Sequence, residues 1–164
     1  MATWTSKQSA AQFASATGKT LARYMNIRYS PVAAGLIFVQ ALTIDLYVYV
    51  GCSQDGGATW IWKQVGLSNS LGAETDTFGF AVDNYNKDIV YTARKSGELM
   101  KSVDATSATP TYSIAYQDVL HSPTTPLANI HVPTDYNRNG SIVYIGSAGG
   151  FEIPAARYDS NDGW

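Results

Sequence analysis

Apolar positions along the chain fall into short runs with the spacing of strands. In "DLYVYVG" (45–51) Leu46, Val48 and Val50 alternate with Tyr47 and Tyr49, so the run has two differently dressed faces. "AAGLIFVQAL" (33–42) and "WIWKQV" (60–65) are also strand-sized. None of these runs approaches the length of a membrane span. Polar turns punctuate them: "NYNKD" (84–88), "KSGE" (95–98), "YNRNG" (136–140) and "SAGG" (147–150). Residues 5–25 are less patterned. Gly18 and the Ser and Thr content there predict a long surface loop with at most one helical turn.

The runs repeat. "FAVDNYNKDIVYTARKSGEL" (80–99) and "IHVPTDYNRNGSIVYIGSAGGFEI" (130–153) share one plan: a short strand, a turn with Asp, Tyr and Asn, a strand Ile-Val-Tyr, and a Gly turn. Tyr85 and Tyr136 are 51 residues apart, and Tyr91 and Tyr144 are 53 apart. Trp60 and Trp164 are separated by 104 residues, two such periods, with Tyr112 midway. The chain therefore reads as one all-β unit of three antiparallel modules, each of about four strands, at about 21–67, 76–119 and 127–164.

Between the first module's last two strands stands "SQDGGATW" (53–60). Each residue has a local use. An Asp carboxylate takes hydrogen bonds from turn amides that a hairpin leaves unpaired. Gly allows positive φ where the chain reverses, and Trp buries a large apolar area beside the next strand. Ser53, Asp55, Gly57, Thr59 and Trp60 together resemble the Asp-box (BNR repeat) of sialidase-like β-propellers. "SVDATSATPTY" keeps Ser102, Asp104 and Tyr112 of that pattern, and "SNDGW" keeps Ser160, Asp162, Gly163 and Trp164. The alternative is a sandwich or other all-β domain with an Asp-Gly-Gly turn. Three modules fall short of the blades that close a propeller. Residues 1–7, "MATWTSK", resemble the last strand of an incomplete blade, and 160–164 the front of a box that lacks one. The resemblance thus implies further blades, from a longer chain or from other copies in a homo-oligomer.

Composition narrows the possible functions. Of 164 residues 12% are aromatic and only 15% charged, and the net charge is −2 without a basic run. Nucleic-acid binding has no electrostatic footing there. The lone Cys52 excludes an internal disulfide, and His121 and His131 have no ligand-spaced companion, so neither metal nor cofactor is expected. The start of the chain lacks the basic-then-apolar order of a signal peptide.

The resemblance also raises catalysis. Sialidases grip a carboxylate with three Arg and use a Tyr nucleophile, but Arg23, Arg28, Arg94, Arg138 and Arg157 stand in no matching motif. "KDIVYTARKSGELMKSVD" is similar to xyloglucanase-like blades, whose turn bears a catalytic Asp. Here that turn reads Lys95, Ser96, Gly97, Glu98, and Glu152 matches Glu98 in the third module. Most glycosidases need two carboxylates flanking the bond. No catalytic residue is assigned.

What remains is recognition. Trp62, Tyr85, Tyr136 and Arg138 are the candidate binding residues, as aromatic or polar groups on turns and on one strand; core or turn packing is their alternative role. The expected function is a non-catalytic module binding a glycan or a surface protein, extracellular or on a particle surface. The alternatives are a fragment of a propeller glycoside hydrolase, and a structural block assembled by strand exchange.

Overall fold

A computed structural model describes residues 8–67, 79–93, 98–117, 127–132, 142–147 and 156–159. One short helix, α1 (Ala10–Thr17), precedes a succession of strands. Strands β1 (Leu21–Tyr29), β2 (Ile37–Thr43), β3 (Tyr47–Ser53) and β4 (Ile61–Leu67) form a four-stranded sheet in that order. A second four-stranded sheet has β5 (Phe80–Val82), β6 (Val90–Ala93), β7 (Glu98–Ser102) and β8 (Ser113–Gln117), again in chain order. A third contains β9 (Leu127–His131), β10 (Ile142–Ser147) and β11 (Ala156–Asp159). All pairings are antiparallel. The fold is mostly β, as the alternation predicts. Among the described residues no helix is long and apolar enough to cross a membrane.

The first and second sheets stack face to face, and their central strands β2, β3 and β6 are buried on both sides. Phe38, Val50, Cys52 and Val65 of the first sheet pack against Phe80, Val90 and Met100 of the second. The opposite face of the second sheet, with Ala81, Tyr91 and Leu99, meets Val132 and Ile130 beside the third. Two amides cross the first boundary. Fully buried Gln40 donates from Nε2 to Thr92 Oγ1 at 2.8 Å, and Gln54 donates to Thr106 O at 2.8 Å. Asn84 does the same at the next boundary, donating to Val132 O at 2.7 Å. The first strands β1, β5 and β9 approach one another in series.

Residues 10–17 correct the loop expectation. Ser9 and Gln12 form a complete capping box, and Gly18 adopts the left-handed conformation (φ 69°) that ends the helix. The Ser and Gly read as loop formers are thus the start and stop signals of a two-turn helix. Phe13 anchors it, fully buried against Ala41 and Tyr49 on the first sheet's free face. Leu46 is a second correction. It does not share a strand face with Val48 and Val50 but takes φ 67° in the turn before β3.

Candidate functional site

The hairpin between β3 and β4 is closed by one carboxylate. Asp55 Oδ1 accepts the amides of Ala58 and Thr59, both at 2.9 Å, and the Ser53 hydroxyl at 2.8 Å. Its Oδ2 accepts the Thr59 hydroxyl at 2.6 Å, and Ser53 Oγ accepts the Gly57 amide at 2.7 Å. Gly56 and Gly57 turn the chain at φ 70° and 92°. Trp60 folds back and donates from Nε1 to Gly57 O at 3.1 Å. The Thr59 hydroxyl and amide, then Ser53, hold the Asp55 carboxyl far below the usual range.

The same bonding recurs between β7 and β8. Ser102 Oγ donates to Asp104 Oδ1 at 2.9 Å, the Thr111 amide to Oδ1 at 2.8 Å, and the Thr111 hydroxyl to Oδ2 at 3.0 Å. The Thr111 amide is the main reason that the Asp104 carboxyl is lowered. Four residues separate Asp55 from Thr59, but seven separate Asp104 from Thr111. The longer loop, with Ala105 and Pro110 buried, leaves the closing bonds intact. Thr111 escapes a motif read forward from the serine. Read backward from the aromatic, Thr59-Trp60 and Thr111-Tyr112 are the same pair.

The two clasps orient equivalent faces. Tyr112 packs against the core between the first and second sheets, and Met100, two residues before Ser102, joins it. The counterparts Trp60 and Gly51 therefore lie on the first sheet's free face. There Gly51 is paired with Trp62, whose ring lies across it. Trp62 stands within 23° of parallel to Tyr24 (centroids 6.3 Å) and to Trp60 (5.7 Å). Phe13 meets its ring edge-on at 4.8 Å. Trp62 is thus a packing residue covered by α1, and its buried Nε1 has no hydrogen-bond partner among the described residues.

Beside this covered ring a cleft of about 360 Å³ remains open. Trp60, Tyr24, Ile27, Val39 and Met25 supply its apolar lining, and Asn26 and Gln8 its amides. Asn26 Nδ2 donates to Gln40 Oε1 at 2.7 Å, so Asn26 is held by the same Gln40 that reaches Thr92. The Tyr24 hydroxyl donates to Ser9 O at 3.4 Å at the helix end. Burial, offset by a bond with Gln8, raises that phenol.

The sequence candidates are dispersed. Tyr85 is 38% exposed on a turn whose amides, Tyr85 N (2.7 Å) and Asn86 N (2.8 Å), donate to the fully buried carboxylate of Asp83. It does not line the cleft. Tyr136, Arg138, Ser160, Asp162 and Trp164 lie outside the described residues, as do residues 1–7, His121 and Glu152. Arg23 and Arg28 pair across β2 with Leu42 and Phe38, and Arg28 donates to the carbonyl of its neighbour Ile27. Glu98 stands on β7 opposite Gln117. Among the described residues no group of three His, Cys, Asp or Glu could hold a metal. The sequence reading missed Tyr24, Asn26 and Ile27 altogether. Their signal is the run "YMNI" on an edge strand, apolar and amide groups without a charge.

No protein-family model matches the chain, and a search of curated proteins found no relative.

Proposed function

We propose that the chain is a segment of an Asp-box β-propeller whose role is recognition rather than catalysis, with a glycan as ligand at an extracellular or particle surface. Two carboxylate-closed hairpins with the same bonds, each joining the last two strands of a four-stranded sheet, support the propeller assignment. The observation that carries the ligand is the cleft, whose lining joins the aromatic residues Trp60 and Tyr24 to the amide residues Gln8 and Asn26. Such a mixed, concave surface suits a sugar, whose C–H faces pack on rings while its hydroxyls take amide bonds. A glycan array followed by NMR titration of the hits tests this. Binding that shifts cleft amides and is lost in Tyr24→Ala supports it. Binding that is lost only in Tyr85→Ala moves the site to the β5–β6 turn, and no binding of any glycan refutes the reading. Release of sugar from xyloglucan, abolished by Glu98→Gln, would make the chain part of a hydrolase.

A second reading, a building block joined by strand exchange, draws on the third sheet. Among the described residues that sheet has three strands, with β11 at one margin. An open ladder edge pairs readily with another chain. A monomeric mass at high micromolar concentration would exclude it.

A further inference from the structure

Register counting shows what the first sheet's free face is built to meet. The clasp serines align the two four-stranded sheets, because Ile37 pairs with Ser53 as Val90 pairs with Ser102. From that anchor Val39 matches Thr92 and Gly51 matches Met100. One strand further out, Ile27 matches Phe80 and Tyr29 matches Val82. Phe80, Val82 and Met100 belong to the boundary with the first sheet, where Phe80 is only 2% exposed. Their counterparts Ile27 and Tyr29 are 51% and 67% exposed. The first sheet therefore carries the contact positions of a stacked sheet without the sheet. The same registers put no Asp, Glu, Lys or Arg on that face of β1–β4. Soluble single chains rarely leave such an apolar patch open.

Helix α1 covers the rest of this face, and it does so lightly. Phe13 is ringed by one residue from each strand: Tyr24, Ala41, Tyr49 and Trp62. Face-to-face sheets lie about 10 Å apart, which is also about the diameter of a helix. The helix and a docked sheet therefore exclude each other. Two turns are too short to persist alone, so α1 exists only while it is seated. Phe13 is its one buried residue, and a long bond of 3.4 Å joins the Tyr24 hydroxyl to the cap carbonyl of Ser9. The boundary between the first and second sheets has a buried amide bond of 2.8 Å, from Gln40 to Thr92. Continuity with that boundary names the occupant. The first sheet presents Phe38 and Val50, and the second receives them with Phe80 and Met100. The second then presents Tyr91 and Leu99 on its opposite face, toward Val132 beside the third. The next face in this series is the far side of a third sheet, and a second copy of the chain supplies one.

Resting on the propeller reading above but not on the glycan, we propose that this face is an assembly surface for a second copy of the chain, kept shut by α1. When the helix lifts away about Gly18, the far side of the copy's third sheet takes its layer. Two chains of three sheets make six, within the roughly four to eight that close a propeller. Assembly therefore stops at a ring of two chains. The test is sedimentation of the full chain and its variants, with hydrogen exchange reporting on α1. The unaltered chain should be a monomer whose Phe13 and Gly18 amides, bonded to Ser9 O and Ala14 O, are protected. Phe13→Asp should run at twice that mass and lose the protection. Adding Ile27→Glu should return it to monomer, since a carboxylate buried between apolar faces has no partner. Ser9→Ala with Gly18→Val loosens α1 at both caps without touching the face, so it decides the matter where Phe13→Asp does not fold. That pair should tighten dimerisation roughly tenfold. Folded variants that stay monomeric at every concentration would overturn the proposal. So would an unaltered chain that is dimeric with its α1 amides protected, or an oligomer indifferent to Ile27→Glu. A mass of three or more copies that Ile27→Glu abolishes would refute the closed ring, and the propeller reading with it, while upholding the surface gated by α1.

Discussion

Replacing Gly51 by alanine places a methyl group under the Trp62 ring, and the consequence can be worked from the structure. A Cβ at position 51 would lie 2.6, 2.7 and 2.8 Å from Trp62 Cζ3, Cη2 and Cε3, whereas ordinary contact begins at 3.4 Å. The ring must therefore retreat by nearly 1 Å. Phe13 blocks it at 4.8 Å and Trp60 at 5.7 Å, so the shift passes into the helix seat and the cleft floor. Overpacking of this kind costs about 1–3 kcal/mol, offset by about 0.4–1 kcal/mol because alanine restricts the unfolded chain. The net expectation is a loss of about 1–2 kcal/mol, or a Tm lowered by about 3–8 °C for a chain of this size. Thermal and urea unfolding followed by circular dichroism measures it. The decisive arm is the same change in a Trp62→Leu background. There the methyl meets no ring, and Gly51→Ala should become neutral or stabilising, a sign reversal within a double-mutant cycle. An equal cost in both backgrounds would refute the account, because it would place the glycine's importance in its backbone rather than under the indole.

The remaining predictions concern the clasps and the core thiol. Thr111→Val and Thr59→Val should each cost about 1 kcal/mol by urea midpoint, and a neutral Thr111→Val would dissolve the equivalence of the two hairpins. Because the Asp55 and Asp104 carboxyls are lowered in the folded chain, their contribution is complete above the ordinary aspartate value, about 4. It drains away as pH falls below that value, since the unfolded chain takes up protons first. The urea midpoint should therefore drop between pH 5 and pH 2.5, and Asp55→Asn should flatten that drop. Burial pushes the Cys52 thiol up to about 11, leaving about one thiolate in a thousand at pH 8. A disulfide reagent should label it only as fast as the protein unfolds, and rapid stoichiometric labelling of the native chain would contradict its place in the core.

The central strands were legible because β2 and β3 are buried on both faces, so the apolar runs "LIFVQAL" and "LYVYV" stand out from polar turns. The helix was hidden by its own caps: Ser9 and Gly18 read as loop residues until Phe13 shows which side is buried. Asp55 was legible, since all its partners lie within six residues of sequence. The cleft was not. Trp60 comes from β4, Tyr24 and Asn26 from β1, and strand order alone brings them together. Likewise, the choice between binding and core packing for Trp62 is decided only by the glycine opposite it and the phenylalanine above it.

Buried Gln40, which bridges the first and second sheets to Thr92, acts as a crossbar between layers that apolar contact alone would let slide. Greasy surfaces tolerate many offsets, whereas an amide buried without its mate is penalised at every offset but one. The two layers are therefore bolted in a single alignment and must come apart together. Deuterium uptake at the central amides of β2 and β6 should accordingly follow one common opening event, with neither layer yielding ahead of the other.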